Sequence, residues 1–334
     1  MNEILVEINT AKRSSLIDIE KLLSIIFVVW THFLKGSIIF LHLIHMPMFF
    51  SISGYFFYEE ILNYSFIDFC KRKIYRLLIP YFIWSCISYI FNIFISKNYT
   101  TNFLIEEFLS IFIYARSLWF FIALFVLLIM MRVCYEVSFR TKIPFIFCML
   151  IFYIFIYFVP KDNIFAFYKI KEFSLFFILG YFLKYKRIQD KKIFDFDYRY
   201  LLLFFVLLFL IIKFAFKLEL PEEKFVYSTL TNNIFWLLGC FFGLLFCIGL
   251  ASFFYQFSFI KNKISYFGRY SIDIYVGHMF FVKIFNILLK KFNLGIFKDF
   301  YLLVLSIFVT LVIIFLSEKF LRKIKLYRIS IGEK

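Results

Sequence analysis

Long apolar runs separated by short polar segments constrain this chain more than any other feature. Of its 334 residues 63% are hydrophobic, 56 are Phe, and only 10 Gly and 5 Pro interrupt the runs. A single soluble globule of this size cannot bury so much apolar surface, so part of that surface must face lipid. The runs lack the alternation of barrel strands, and a bilayer requires internal pairing of every backbone group. The sequence therefore predicts an all-α integral membrane protein.

We predict a bundle of about ten transmembrane helices. The spans fall at residues 17–34, 38–57, 77–96, 118–134, 144–159, 171–184, 200–216, 232–254, 271–289 and 300–317. One set of alternate loops, taken with both termini, carries about twice as many Lys and Arg residues as the other set. By the positive-inside rule, the N- and C-termini are cytoplasmic. Because every loop is short, we expect a single transmembrane domain over residues 1–334 with no appended soluble domain.

The strongly basic balance is explained by the membrane. The formal net charge is +16, and the basic residues cluster between apolar runs, as in loops that face anionic lipid. We therefore expect membrane lipid, and no nucleic acid, as a partner. None of the six Cys forms a Cys-x-x-Cys pair or lies near a His at metal-ligand spacing, so no metal is expected.

The first span carries an ordered set of ionisable residues. Lys21 and His32 are eleven residues apart, which places both side chains on one helix face, about 16 Å apart along the axis. Asp18 precedes Lys21 by three residues and can pair with it. A cation near the cytoplasmic mouth can hold phosphate and a deep imidazole can act as a base, which suits a coenzyme A thioester. Alternatively, Lys21 extends to the interface and His32 makes a hydrogen bond between helices.

The second span and the loop after it add polar candidates. His45 and Ser53 are two helical turns apart, and Pro47 and Gly54 permit a kink and a close backbone approach, although small residues also serve ordinary helix packing. In the following basic segment Lys73 and Arg76 are three residues apart. They could share one phosphate, or anchor the chain at the cytoplasmic face.

The ninth span contains the fourth histidine. The segment YFGRYSIDIYVGHMFF covers residues 266–281, with Arg269 at the cytoplasmic mouth. Asp273, Tyr275 and His278 project into the span. A buried carboxylate is costly without a partner, so we expect an Arg or Lys beside Asp273.

Together these segments resemble acyltransferase family 3, the multi-span bacterial membrane proteins related to sugar O-acetyltransferases. The resemblance rests on five ordered segments: Lys21-x10-His32, HMPMFFSISGYFF in the second span, Lys73-x-x-Arg76 before Leu-Leu-Ile-Pro80, SLWFFIALF at 117–125, and GRYSIDIYVGH at 268–278. This chain has Lys at position 21, where the family has Arg or Lys. It also has Lys at position 73, where the family usually has Arg. Lys is a point charge without the bidentate fork of Arg.

The resemblance implies transfer of an acyl group, usually acetyl, from acyl-CoA to a hydroxyl of a cell-surface carbohydrate or its lipid-linked precursor, in the bacterial plasma membrane. His32 is then the general base, or alternatively a covalent acyl-histidine. The remaining implied roles are orientation of Lys21 by Asp18, donor binding by Lys21, Lys73, Arg76 and Arg269, and pocket lining by His45, Ser53, Trp119 and His278. A transporter or flippase that exports a glycan or lipid-linked sugar is the alternative from another class, and a non-catalytic partner of a glycan-assembly complex is a third.

Overall fold

The computed structural model describes residues 15–34, 39–116, 118–158, 164–189, 206, 230–289 and 298–333. All regular structure in these ranges is helical. The α-helices are α1 (Ser15–Phe33), α2 (Ile39–Asn63), α3 (Phe66–Lys73), α4 (Ile79–Ser96), α5 (Thr101–Phe108), α6 (Trp119–Thr141), α7 (Phe145–Phe158), α8 (Phe167–Gln189), α9 (Leu230–Gln256), α10 (Ser258–Gly268), α11 (Ser271–Leu289), α12 (Lys298–Lys319) and α13 (Lys325–Ser330). Two π-helical turns, Ile74–Leu78 and Leu109–Ile113, and two 3-10 turns, Ile164–Ala166 and Leu321–Lys323, complete the order.

The all-helical prediction is confirmed for the described residues. Each predicted span among them coincides with a helix, and the predicted span at 200–216 lies outside them except for residue 206. Within the described part of the chain, five helical stretches are long and apolar enough to cross a membrane: Phe66–Ser96, Trp119–Thr141, Trp236–Gln256, Ser271–Leu289 and Lys298–Lys323. The count of ten spans and the cytoplasmic termini stay predictions.

The chain forms two compact units. The first comprises Met1–Ile52 and Lys186–Ser317, and the second comprises Ser53–Tyr185 and Glu318–Lys334. In the first unit α1 packs against α9, α10 and α11. Ile19, Ser24 and Ile25 point to different sides of α1 and are all fully buried, which is the pattern of a helix packed on several sides.

Aromatic packing dominates the second unit. The ring of Phe57 contacts the rings of Phe69, Phe145 and Phe177. One turn earlier, a Cβ on Gly54 would overlap the backbone carbonyl of Phe177, so α2 and α8 meet backbone to backbone there. This contact confirms the close approach predicted at Gly54.

Candidate functional site

Two histidines that are far apart in sequence meet in the first unit. The ring centroids of His32, on α1, and His278, on α11, are 5.1 Å apart with their planes tilted by 43°. His32 is the one exposed residue of α1, whereas His278 is fully buried. The pair therefore joins an exposed imidazole to one that is held inside the protein.

The backbone of α11 fixes the proton on His278. Its Nδ1 lies 2.7 Å from the carbonyl oxygen of Tyr275 and 3.1 Å from that of Ile274. Carbonyl oxygens only accept hydrogen bonds, so Nδ1 carries the hydrogen and the neutral ring keeps its lone pair on Nε2. Within the described part of the chain, Nε2 is buried and has no hydrogen-bond partner. A buried acceptor without a donor is uncommon, and this one leaves the Nε2 lone pair available to accept a hydrogen bond.

The other two histidines lie in the same unit. The rings of His42 and His45 on α2 are 5.1 Å apart, and His45 is buried while His42 is half-buried. His45 also lies close enough to His32 and His278 to interact with both electrostatically. We call these four residues the histidine cluster. Among the described residues, no group of three or more His, Cys, Asp or Glu side chains is arranged to hold a metal ion.

The opposite end of α1 holds the predicted ion pair. Lys21 Nζ lies 3.6 Å from the Oδ1 atom of Asp18, whose side chain is buried. A Cβ on Gly268 would overlap the backbone carbonyl of Asp18, so the end of α10 presses directly on this turn. Ile25 and Val28 occupy the same helix face between Lys21 and His32, and they are 0% and 1% exposed. That stretch of the face is packed against protein.

The start of α11 is held by a hydrogen bond that sequence reasoning did not anticipate. Ser317 of α12 donates to the Oδ1 atom of the fully buried Asp273. Arg269, just before α11, is exposed, with its guanidinium 5.6 Å from the centroid of the Tyr266 ring. The Arg or Lys expected beside Asp273 stays a prediction.

The basic pair after the second span lies in the second unit. Lys73 is buried, and its Nζ lies 2.5 Å from the Oε2 atom of Glu60. Arg76 is exposed. Lys73 therefore already has an anionic partner inside the protein, while Arg76 is accessible to a ligand. Ser53, also in the second unit, is half-buried.

Trp119 lies at the start of α6 in the second unit and lines a cavity. Its ring stacks on that of Phe173 at a centroid distance of 6.2 Å. Lys169 Nζ lies 5.5 Å from the centroid of Trp119 and 2.8 Å from the Oε2 atom of Glu172.

Sequence reasoning missed the acidic partners of two cations, one buried and one half-buried. Glu60 pairs with Lys73, and Glu172 pairs with Lys169. The signal for the second pair is local, because the two residues are three apart on one helix. The first pair spans a helical hairpin, so only the turn between α2 and α3 could have indicated it. Arg132, buried on α6 and bonded to the carbonyl of Ile61 and to Glu136, was also missed.

Comparison with known proteins supplies one match. The model of the acyltransferase family 3 domain matches residues 15–319, which covers most of both units. No curated protein and no solved structure was found to match the chain.

Proposed function

The chain belongs to acyltransferase family 3, and on that premise we propose that it transfers an acetyl group from acetyl-CoA to a hydroxyl of a cell-surface carbohydrate or its lipid-linked precursor in the bacterial plasma membrane. The observation that carries the proposal is the contact between accessible His32 and buried His278. Acyl transfer to a hydroxyl needs a base that reaches the acceptor and is held in one orientation.

His32 acts as the general base. It takes the proton of the acceptor hydroxyl as the oxygen attacks the thioester carbonyl, a C–O bond forms, and the C–S bond breaks. The proton then passes from His32 to the departing sulfur of coenzyme A. His278 is a positioning residue: its Nε2 lone pair can accept a hydrogen bond from the N–H of protonated His32, which stabilises the charge that develops there.

The donor's phosphates are held at the other end of α1. Lys21 is partly accessible and oriented by Asp18, and exposed Arg269 belongs to the same unit. Because Ile25 and Val28 are buried, we do not place the pantetheine arm along the Lys21–His32 face itself. In the second unit, Arg76 is the better donor ligand of the predicted basic pair, because Lys73 is already paired with Glu60.

The proposal is tested with labelled acetyl-CoA and membranes that contain the protein together with envelope glycan. We expect label to enter the glycan with the natural sequence, and transfer to be lost with both His32→Ala and His32→Gln. Gln keeps the polarity and approximate size of the side chain without a basic nitrogen, so it is the matched control for packing. Melting temperature and monodispersity in detergent verify folding. Undiminished transfer by either variant overturns the assignment of His32, and glycan export without label transfer favours a transporter.

A further inference from the structure

A cavity outside the histidine cluster lies in the second unit. Its volume is 340 Å³, and the polar or aromatic residues that line it are Ser110, Tyr114, Arg116, Trp119 and Tyr168. This volume is at the lower end of the range of about 300–1,000 Å³ that is typical of small-molecule sites. It is enough for one or two sugar rings.

The backbone around this cavity is held in an unfavourable conformation. Ala115 and Ala166 also line the cavity, and both have positive φ angles, 51° and 53°, as does the adjacent Phe165 at 49°. A side chain with a Cβ is disfavoured in this region of φ and ψ. The other two non-Gly residues with positive φ among the described ones, Lys97 and Lys142, are helix C-caps, where this conformation is ordinary. Strain of this kind concentrates at functional sites.

A widened helical turn forms one wall of the cavity. Ser110 lies within the π-helical turn Leu109–Ile113, and Tyr114 follows it. The hydroxyl of Tyr81 lies 3.1 Å and 2.9 Å from the carbonyl oxygens of Ile111 and Phe112, so it holds the turn from α4. π-Helical turns occur frequently at functional sites.

The side chains of the cavity suit a polyhydroxylated ring. Trp119, Tyr114 and Tyr168 offer aromatic faces for the C–H groups of a sugar, and Ser110, the Tyr hydroxyls and exposed Arg116 offer hydrogen bonds. Lys169, 4.6 Å from the ring centroid of Tyr168, is neutralised by Glu172. Among the described residues that line the cavity, Arg116 is the one charged side chain, whereas a phosphate site gathers several cations.

We propose that this cavity binds a sugar ring of the glycan acceptor. The proposal rests on the proposed function for the identity of the acceptor. Six of the seven lining residues come from segments 97–117 and 160–171, which the basic-residue bias predicts to lie outside the cytoplasm. Trp119 lies at the start of the adjoining predicted span, 118–134. A subsite there receives its sugar from the cell-surface side of the membrane.

The test is sugar binding by the full chain in nanodiscs, without acyl-CoA, measured by saturation-transfer NMR. The probes are the methyl glycosides of glucose, galactose, N-acetylglucosamine and glucuronic acid, with inorganic phosphate as a competitor. We expect at least one glycoside to bind saturably to the natural sequence and to His32→Ala. Trp119→Leu and Tyr114→Leu should lose that binding, and each should raise the KM for envelope glycan about tenfold.

Tyr99→Leu is the matched control, because Tyr99 is an exposed aromatic residue of the same segment that does not line the cavity. Its binding and KM should equal those of the natural sequence. The proposal is overturned if no glycoside binds, if binding survives Trp119→Leu, or if phosphate binds here in place of every glycoside. Glycoside binding without any acetyl transfer instead defeats the proposed function and leaves the cavity assignment intact.

Discussion

The ring centroid of His278 lies 5.1 Å from that of His32, while its Nδ1 is hydrogen-bonded to the backbone of its own helix. The two imidazoles are thus unequal in access and in freedom to change tautomer. In the proposed mechanism, His278 supplies a hydrogen-bond acceptor and the exposed His32 reacts. This division of roles makes the contribution of each nitrogen of His278 testable.

Substitution of His278 by Asn and by Gln tests the contributions of its two ring nitrogens separately. The amide of His278→Asn can take the place of Nδ1 and still donate to the carbonyl of Tyr275, but it has no counterpart of Nε2. The longer amide of His278→Gln reaches the Nε2 position. Loss of a hydrogen bond to a developing charge costs about 1.5–3 kcal/mol, so kcat should fall roughly 10- to 100-fold in Asn and less in Gln. Steady-state acetyl transfer measures this, and equal kcat values for the two variants contradict the role of Nε2.

The Lys21 assignment can be tested by shortening the donor. Acetyl-pantetheine keeps the thioester but lacks the phosphates of acetyl-CoA. If Lys21 holds a phosphate, Lys21→Ala should lower kcat/KM about tenfold for acetyl-CoA, because a charge-assisted hydrogen bond is lost. The same variant should leave acetyl-pantetheine nearly unaffected.

The control for this comparison is Lys263→Ala, which removes an exposed cation of the same unit that faces the ring of Phe259. It should behave like the natural sequence with both donors. An equal loss for both donors with Lys21→Ala would indicate that Lys21 stabilises the fold and does not contact phosphate.

Local spacing could predict some of these features and not others. The Asp18–Lys21 pair follows from a three-residue spacing on a helix. The proximity of His32 to His278 depends on how α11 packs against α1, and no spacing encodes a contact across 246 residues. Likewise, burial of Ile25 and Val28 shows that sharing a face with Lys21 does not make that face a channel. Periodicity gives the direction of a side chain, and tertiary packing decides what covers it.

The contact between α10 and α1 predicts a steep difference between two glycines. A Cβ at position 268 would overlap the backbone of Asp18, whereas for one at position 277 the nearest atom is in the side chain of Ile313, at 3.5 Å. Overpacking costs about 1–3 kcal/mol, so Gly268→Ala should lower the melting temperature and weaken donor binding through Asp18 and Lys21. Gly277→Ala should be close to neutral. Thermal unfolding in detergent compares them, and similar melting temperatures for the two variants contradict the packing at Asp18.

Pairing with Glu60 predicts a structural role for Lys73, in contrast to the ligand-binding role proposed for Arg76. The side chains are 9% and 15% exposed, so Glu60→Gln leaves a largely buried ammonium without its counter-charge. Removal of one partner of a buried pair costs about 3–5 kcal/mol, so thermal stability should fall clearly. The double variant Glu60→Gln with Lys73→Met should recover much of that loss, because the unpaired charge is gone.

Arg76→Ala, at an exposed position, should leave stability unchanged and raise the KM for acetyl-CoA. These two assignments are contradicted if Lys73→Met alone leaves stability unchanged and raises the KM for acetyl-CoA more than Arg76→Ala does. Lys73 would then bind the donor despite its pairing with Glu60.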